Sequence, residues 1–301
     1  MVLITGITGF VGQNLSAYLS DAFQVKSISR LSSNSNLSYV DFFEGNPTYD
    51  AIVHLAGKAH DLKKTSQESD YFEVNFELTK KLYDQFLSSN ASQFIYVSSV
   101  KAVADSVESV LTEEEIPNPI TAYGKSKLMA ENYILANLPA NKKVYILRPC
   151  MIHGRGNKGN LNLLYNLVSK GIPYPLGAYD NQRSFLSIDN LCFIIETLLK
   201  NDFSSGVFNV ADDAAVSTRE LIDLIAESLG KKTQIWTIPK PIIHSLAKIG
   251  DVLPLPINSE RLQKLTENYV VSNHKIKSEL NINLPLSSKE GLLKTFQSFK
   301  I

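Results

Sequence analysis

The sequence predicts an α/β protein of the Rossmann type, a doubly wound parallel sheet followed by a smaller C-terminal substrate-binding region. Three observations carry this. Short β-rich runs alternate with helix-period segments through the first 150 residues. The runs are nearly continuous in apolar residues, as strands covered on both faces must be. Gly6, Gly9 and Gly12 follow the first run and open a helical stretch, the place where such folds turn tightly from strand to helix.

VLIT from Val2 reads as the first strand, and VKSIS from Val25, AIVHLAG from Ala51, FIYVSS from Phe94 and VYILRP from Val144 supply four more. Between them Leu78, Leu82 and Phe86, then Leu128 and Leu135, recur at helical spacing and predict crossover helices. After Pro149 the pattern becomes irregular. Gly154, Gly156, Gly159, Gly171, Pro173, Pro175 and Gly177 crowd one region, as in loops that shape a cleft. STRELIDLIAESLG then predicts a helix opened by a capping box, Ser217 with Glu220, and closed by Gly230. The expected organisation is a dinucleotide-binding domain over 1–150 plus roughly 184–211, and a substrate-binding region over roughly 151–183 and 212–301.

At 301 residues and 44% hydrophobic content, the chain can bury a large core. Its 30 basic and 30 acidic residues balance, so no global field recruits nucleic acid or an anionic membrane, and any anionic ligand must be held locally. Cys150 and Cys192 match neither a disulfide framework nor a metal site, which points to a reducing compartment, the cytoplasm by default. Met1 leads directly into a strand, and nowhere do about 18 apolar residues run together, so neither a signal peptide nor membrane insertion is expected.

In ITGITGFVG the glycines let backbone approach a pyrophosphate, whose charge would rest on N–H groups at the helix start. The same triplet serves any tight turn, but here its strand-to-helix context matches the fingerprint. An NAD site usually has a carboxylate at the end of the second strand. This chain has Ser29 and Arg30 instead, which favours NADP(H) while leaving NAD(H) open, and Arg30 beside LSSNSN also reads as an exposed loop arginine.

AYGKSK holds the chain's only Tyr-x-x-x-Lys, with Tyr123 and Lys127 on one helix face near the carboxyl ends of the strands. A phenol with a pKa near 10 becomes a useful acid-base group when a nearby ammonium favours its phenolate. With a strand-end hydroxyl and a nicotinamide carrier, the set suits carbonyl reduction or alcohol oxidation.

Together TGITGFVG, HLAG from His54, VN at Val74, VSS ending at Ser99, YGKSK, RP at Arg148 and RSFLSIDN from Arg183 resemble the extended short-chain dehydrogenases, the NAD-dependent epimerase/dehydratase family, over nearly the whole chain. The resemblance implies that Tyr123 is the general acid-base, that Lys127 tunes it and bonds the nicotinamide ribose, and that Ser99 bonds the reacting oxygen while Ser98 supports the strand end. Gly6, Thr8, Gly9, Phe10, Val11 and Gly12 would line the dinucleotide. Leu55, Ala56, Gly57 and Lys58 would form the loop under it, and Asn75 would support the site. It further implies a nucleotide-sugar substrate, with Asn160 near nucleotide and sugar and Arg183 on the pyrophosphate. Arg261 and Lys264 are further phosphate candidates that also read as surface charges. His153, where relatives often carry tyrosine, is expected to line the cleft without transferring protons. PYPLGAYDNQRSF reads most like the subgroup that reduces a UDP-linked 4-keto-6-deoxy-N-acetylhexosamine, or epimerises a related UDP-sugar, for surface polysaccharide. Dehydratases of the family carry an Asp-Glu pair after the catalytic hydroxyl, where this chain has Val100 and Lys101. The absent ribose carboxylate favours a reductase over a 4-epimerase. A non-catalytic dinucleotide sensor is a third reading, opposed by the presence of Ser99, Tyr123 and Lys127. Related enzymes often pair as homodimers through the helix bearing Tyr123, an expectation left open for this chain.

Overall fold

The computed structural model describes residues 1–30, 36–45, 47–59, 67–157, 159–253 and 258–299, except for the side chain of Lys264. The central sheet has seven parallel strands: β1 (Val2–Thr5), β2 (Val25–Ser29), β3 (Asn36–Ser38), β4 (Ala51–His54), β5 (Gln93–Val97), β6 (Lys143–Pro149) and β7 (Gly206–Val210). Their order across the sheet is β7-β6-β5-β4-β1-β2-β3. The chain runs outward from β1 through β2 to β3, then returns to lay β4 on the other side of β1. That reversal opens a crevice beyond the carboxyl ends of β1 and β4, the switch point where open α/β sheets bind ligands.

Apart from the edge strand β3, the strands divide their side chains between two cores. Val2, Ile4, Val53, Ile95, Val97, Tyr145 and Leu147 face one cluster with Leu15 and Leu19 of helix α1 (Phe10–Leu19), while Leu3, Ile52, Phe94, Tyr96 and Ile146 face another with Leu82, Tyr83 and Phe86. This period-2 division with both faces covered is why the strands read as continuous apolar runs. Each buried Leu or Ile contributes about 1.5–3 kcal/mol to folding.

The helix Ala122–Ala136, which carries Tyr123 and Lys127, differs from its expected face. Leu135 is exposed, Leu128 is half-buried, and the buried face is Gly124, Ser126, Lys127, Ala130, Glu131 and Ile134. This helix packs over the strand ends, where polar partners wait, so the polar side turns inward.

A third cluster gathers Leu161, Tyr165, Leu221, Ile225, Leu292 and Phe296 from helices Asn160–Ser169, Thr218–Leu229 and Ser288–Ser298. Thr218–Leu229 begins with the Ser217–Glu220 capping box and ends at Gly230, whose φ of 65° suits the left-handed cap. Tyr269, Val271, Ile276 and Leu280 pack instead with the first cluster, and Val270–Val271 pairs with Val110–Leu111. His153 does not line the cleft. It is fully buried, with Nδ1 2.8 Å from Thr295 Oγ1, because the helix Ser288–Ser298 closes over it at Gly291, whose added Cβ would lie 3.4 Å from its Cε1. Asp212, 3.6 Å from His153 Nε2, accepts from Ser187 N and from Asn190 Nδ2 at 2.7 Å.

The β1–α1 turn has no room for a methyl group: a Cβ on Gly12 would sit 2.3 Å from Gly6 O and 2.6 Å from Ile7 Cα, both backbone. Gly12→Ala should therefore cost about 1–3 kcal/mol, read as a drop of a few degrees in Tm by calorimetry. An unchanged Tm would contradict this packing.

Candidate active site

Gly6, just past β1, has φ +72°, and a Cβ there would lie 2.8 Å from Ala56 N, so the glycine turn and the loop after β4 touch backbone to backbone. Gly9 N donates to Gly6 O at 3.0 Å, and Gln13 N makes the first bond back, to Gly9 O at 3.0 Å. The N-cap is Gly9, which has no side chain to cap with, so Phe10, Val11 and Gly12 present the N–H groups that a helix start leaves without intrahelical acceptors. Uncapped donors beside close-packed glycines fit a pyrophosphate. Gln13 Nε2 donates to Thr8 O at 3.2 Å, bracing the turn.

A buried polar chain connects this turn to the opposite wall. Thr5 Oγ1 accepts from Leu55 N at 3.1 Å and Ala56 N at 3.0 Å, which leaves its proton for His54 Nδ1 at 2.6 Å. His54 must therefore carry its ring proton on Nε2, which meets Thr79 Oγ1 at 2.8 Å, and the Thr79 hydroxyl donates to Asn75 O at 2.7 Å. Burial, aided by the charge of Lys127, lowers His54 to a pKa of about 3, so the ring stays neutral. Asn75 lies in the π-helical turn Glu73–Glu77. Its Oδ1 accepts from Lys58 N at 2.7 Å, and its Nδ2 donates to Lys58 O and Ser126 Oγ, each at 3.0 Å. Asn75 thus clamps the Lys58 backbone and ties it to the helix of Tyr123. The Lys58 ammonium points elsewhere, 2.7 Å from Asp70 Oδ2.

Ser99, Tyr123 and Lys127 converge. Ser99 Oγ accepts from Lys101 N at 3.2 Å, capping the turn Val100–Ala102. Burial raises the Tyr123 pKa and the Ser99 hydroxyl partly offsets it, so the resting phenol is protonated at neutral pH. Gly124 brings the helix onto this turn, since a Cβ there would be 2.3 Å from Lys101 O. Lys127 is buried. Its Nζ donates to Val97 O at 3.0 Å and lies 4.8 Å from the Tyr96 ring, and both it and Asn75 Oδ1 sit 3.1 Å from where a Gly57 side chain would begin. Burial lowers Lys127 to about 8, opposed by Glu131 one turn along.

Glu131 is a site residue that the motifs did not reveal. It is fully buried and paired with Arg148 through contacts of 2.6, 3.1 and 3.1 Å, and it also accepts from the Ser98 hydroxyl. The two adjacent serines are thereby separated in role, Ser98 bound to the ion pair and Ser99 facing Tyr123. Val100 is buried, while Lys101 Nζ donates to Asp105 O at 2.6 Å and lies 4.2 Å from the Tyr269 ring.

The outer candidates are spread more widely. Ser29 pairs in register with Ser38, and Arg30 is exposed beside Tyr39. Arg183 Nη2 is 3.5 Å from Glu267 Oε1, and its charge reaches Cys150 and Tyr269. Tyr269 OH donates to Ala104 O at 2.7 Å, linking Arg183 to the Ser99 turn. Tyr269 is a second residue that sequence reading missed. Asn160 is exposed at the start of its helix, Arg261 is exposed on Ser259–Thr266, and the Lys264 side chain lies outside the described residues. Among the described residues no cluster of His, Cys, Asp and Glu could hold a metal ion, and no helix is long and apolar enough to cross a membrane.

A dinucleotide-type turn facing a Ser-Tyr-Lys cluster is the arrangement of an extended short-chain dehydrogenase. Residues 2–211 match the model of the NAD dependent epimerase/dehydratase family, and the chain belongs to that family of NAD(P)-dependent enzymes. It is 33% identical over 317 residues to a UDP-glucose 4-epimerase of Vibrio cholerae, covering 99% of this chain and 95% of that one. It is 27% identical over 242 residues to a GDP-6-deoxy-D-mannose reductase of Pseudomonas aeruginosa, covering 75% and 79%. Among solved structures, MoeE5 in complex with UDP-glucuronic acid and NAD is similar with a TM-score of 0.76 at 21% identity, covering 99% and 98%, a likeness of fold.

Removing Arg148 alone would strand the Glu131 charge. Arg148→Met should cost about 3–5 kcal/mol, and adding Glu131→Gln should recover part of that loss. Urea denaturation of both variants checks this, and strictly additive losses would argue against the pair.

Proposed function

We propose that this enzyme reduces the C4 carbonyl of a UDP-linked 4-keto-6-deoxy-N-acetylhexosamine, consuming NADPH, to supply a sugar for surface polysaccharide. The observation that carries the proposal is the convergence of Ser99, Tyr123 and Lys127 below the glycine turn. Ser29 and Arg30, standing where an NAD site has its carboxylate, favour the 2′-phosphorylated cofactor. Gly6, Thr8, Gly9, Phe10, Val11 and Gly12 would hold the pyrophosphate side, and Leu55, Ala56, Gly57, Lys58 and Asn75 the other. The bound dinucleotide supplies the two electrons of the reaction.

Ser99 Oγ, steadied by the Lys101 N–H, bonds the carbonyl oxygen. Tyr123, kept protonated by burial, gives that oxygen its proton, and the alcohol forms. The Lys127 ammonium, one turn along the same helix, is assigned to stabilise the phenolate left behind. Neither Val100 nor Lys101 offers the extra acid and base that dehydration requires. Arg183 suits the substrate diphosphate because its planar fork can bond two oxygens at once, with Asn160 and Arg261 as further contacts. On this reading the dinucleotide lies against residues 1–150 and 184–211, and the sugar against 151–183 and much of 212–301.

A second reading, UDP-sugar 4-epimerase, is favoured by the similarity to the Vibrio cholerae enzyme over nearly the whole of both chains. It uses the same three residues with oxidised cofactor retained. The purified protein separates the two. Loss of 340 nm absorbance when NADPH and the 4-keto sugar nucleotide are added supports the reductase, whereas bound NAD released on denaturation with 4-epimer interconversion supports the epimerase. Tyr123→Phe should lower kcat at least about a hundredfold in either case, and a few-fold change would overturn the acid-base assignment. Since Lys127 loses its proton at about 8, kcat for reduction should fall as pH rises through that value. A flat profile would remove Lys127 from the role given to it.

A further inference from the structure

Ile242, Leu246 and Ile249, with Leu253 just beyond, recur at spacings of four, three and four along the helix Lys240–Gly250, and all four are exposed. The helix meets its own core through a different face, Ile243 and Ala247. Val252 is 85% exposed and Trp236, just before the helix, is 58% exposed, so the apolar stripe continues past both ends. The neighbouring helix Ser259–Thr266 adds one exposed leucine, Leu265, along with the opposite charges of Glu260 and Arg261. An apolar stripe of this kind on a monomer surface marks an interaction site.

The segment that carries it has a positive balance of charge. Residues 231–253 hold Lys231, Lys232, Lys240 and Lys248, all exposed, against Asp251 alone, whose carboxylate is bound by Ser259 N and Oγ at 2.8 and 2.6 Å. A second copy would bring like charges together, and the 11-residue helix is only about 16 Å long, too short by itself to bury the roughly 800 Å² per partner of a stable interface. An anionic lipid surface meets both features, taking the apolar stripe into the headgroup boundary and the lysines onto phosphates.

We propose that the helix Lys240–Gly250, with Trp236, Val252 and Leu253, docks this protein peripherally on anionic membranes. Docking would hold the cleft near the lipid surface, because the same segment packs on the loop leading to Arg183: Gly177 N donates to Trp236 O at 3.0 Å, and Lys240 Nζ lies 5.3 Å from the Tyr179 ring.

Trp236 is the chain's only tryptophan, so its emission reports contact at this face. Full-length protein is mixed with phosphatidylcholine vesicles, either plain or containing about one-third phosphatidylglycerol. We expect a blue shift and co-flotation with the anionic vesicles only. Both should weaken about tenfold or more in Ile242→Asp/Ile249→Asp and in Lys240→Glu/Lys248→Glu, with Tm unchanged in at least one of them. No shift and no co-flotation with anionic vesicles overturns the proposal, as does equal binding to both vesicle types. A vesicle-independent shift that grows with protein concentration and vanishes in Ile242→Asp/Ile249→Asp also overturns it, assigning the face to a second copy.

Discussion

The site depends on one constraint: Thr5, His54, Ser98, Glu131 and Arg148 are buried around the carboxyl ends of the strands, where a polar side chain without a protein partner is costly. Thr5 ends β1 and His54 ends β4, and each satisfies the other. Ser98, just past β5, and Arg148, near the end of β6, meet at Glu131. Four strand ends are thus joined in pairs, and the two pairs flank the space in which Ser99, Tyr123 and Lys127 gather. A half-satisfied version of either network would cost more than an apolar core, so both networks fix the strand ends in one arrangement.

The same constraint sets the protonation states. His54 is held neutral because its two nitrogens are committed to a donor and an acceptor in the absence of water, which leaves Lys127 as the cation of that wall. Burial pulls the proton off Lys127 and Glu131 holds it on, leaving the group near the pH range in which enzymes work. Tyr123 is pushed the opposite way and stays a phenol. On the proposed reading, a phenol that keeps its proton at rest, one helical turn from an ammonium, gives that proton up when a carbonyl oxygen accepts it.

Much of this was legible in the sequence. Five strands are found where apolar runs placed them, because strands buried on both faces carry their signal locally. Strand β3, three half-buried residues at the sheet edge, has no such run. The Tyr-x-x-x-Lys helix was found, but its leucines misled about its inward face, since burial there follows polar pairing with strand ends far away in sequence. Glu131 and Arg148, 17 residues apart, and Asn75 and Lys58, also 17 apart, are pairings that only the folded sheet creates. His153 shows the same limit, because its environment is written 142 residues downstream in Thr295.

The C-terminal third makes the limit most plain. Beyond Gly230 the Pro- and Lys-rich sequence places its elements only loosely, and the helix KPIIHSLAKIG that forms there has two apolar faces, one through Ile243 and Ala247 and one through Ile242, Leu246 and Ile249. A helix apolar over so wide an arc reads in sequence as a core helix. The narrower face of smaller residues is the one that packs, because it must fit against the third cluster at close range, while the face with more apolar surface is left outside. Leaving the larger apolar face in water is costly unless something covers it, and the lysines of the same segment favour, on the membrane proposal, a surface of opposite charge.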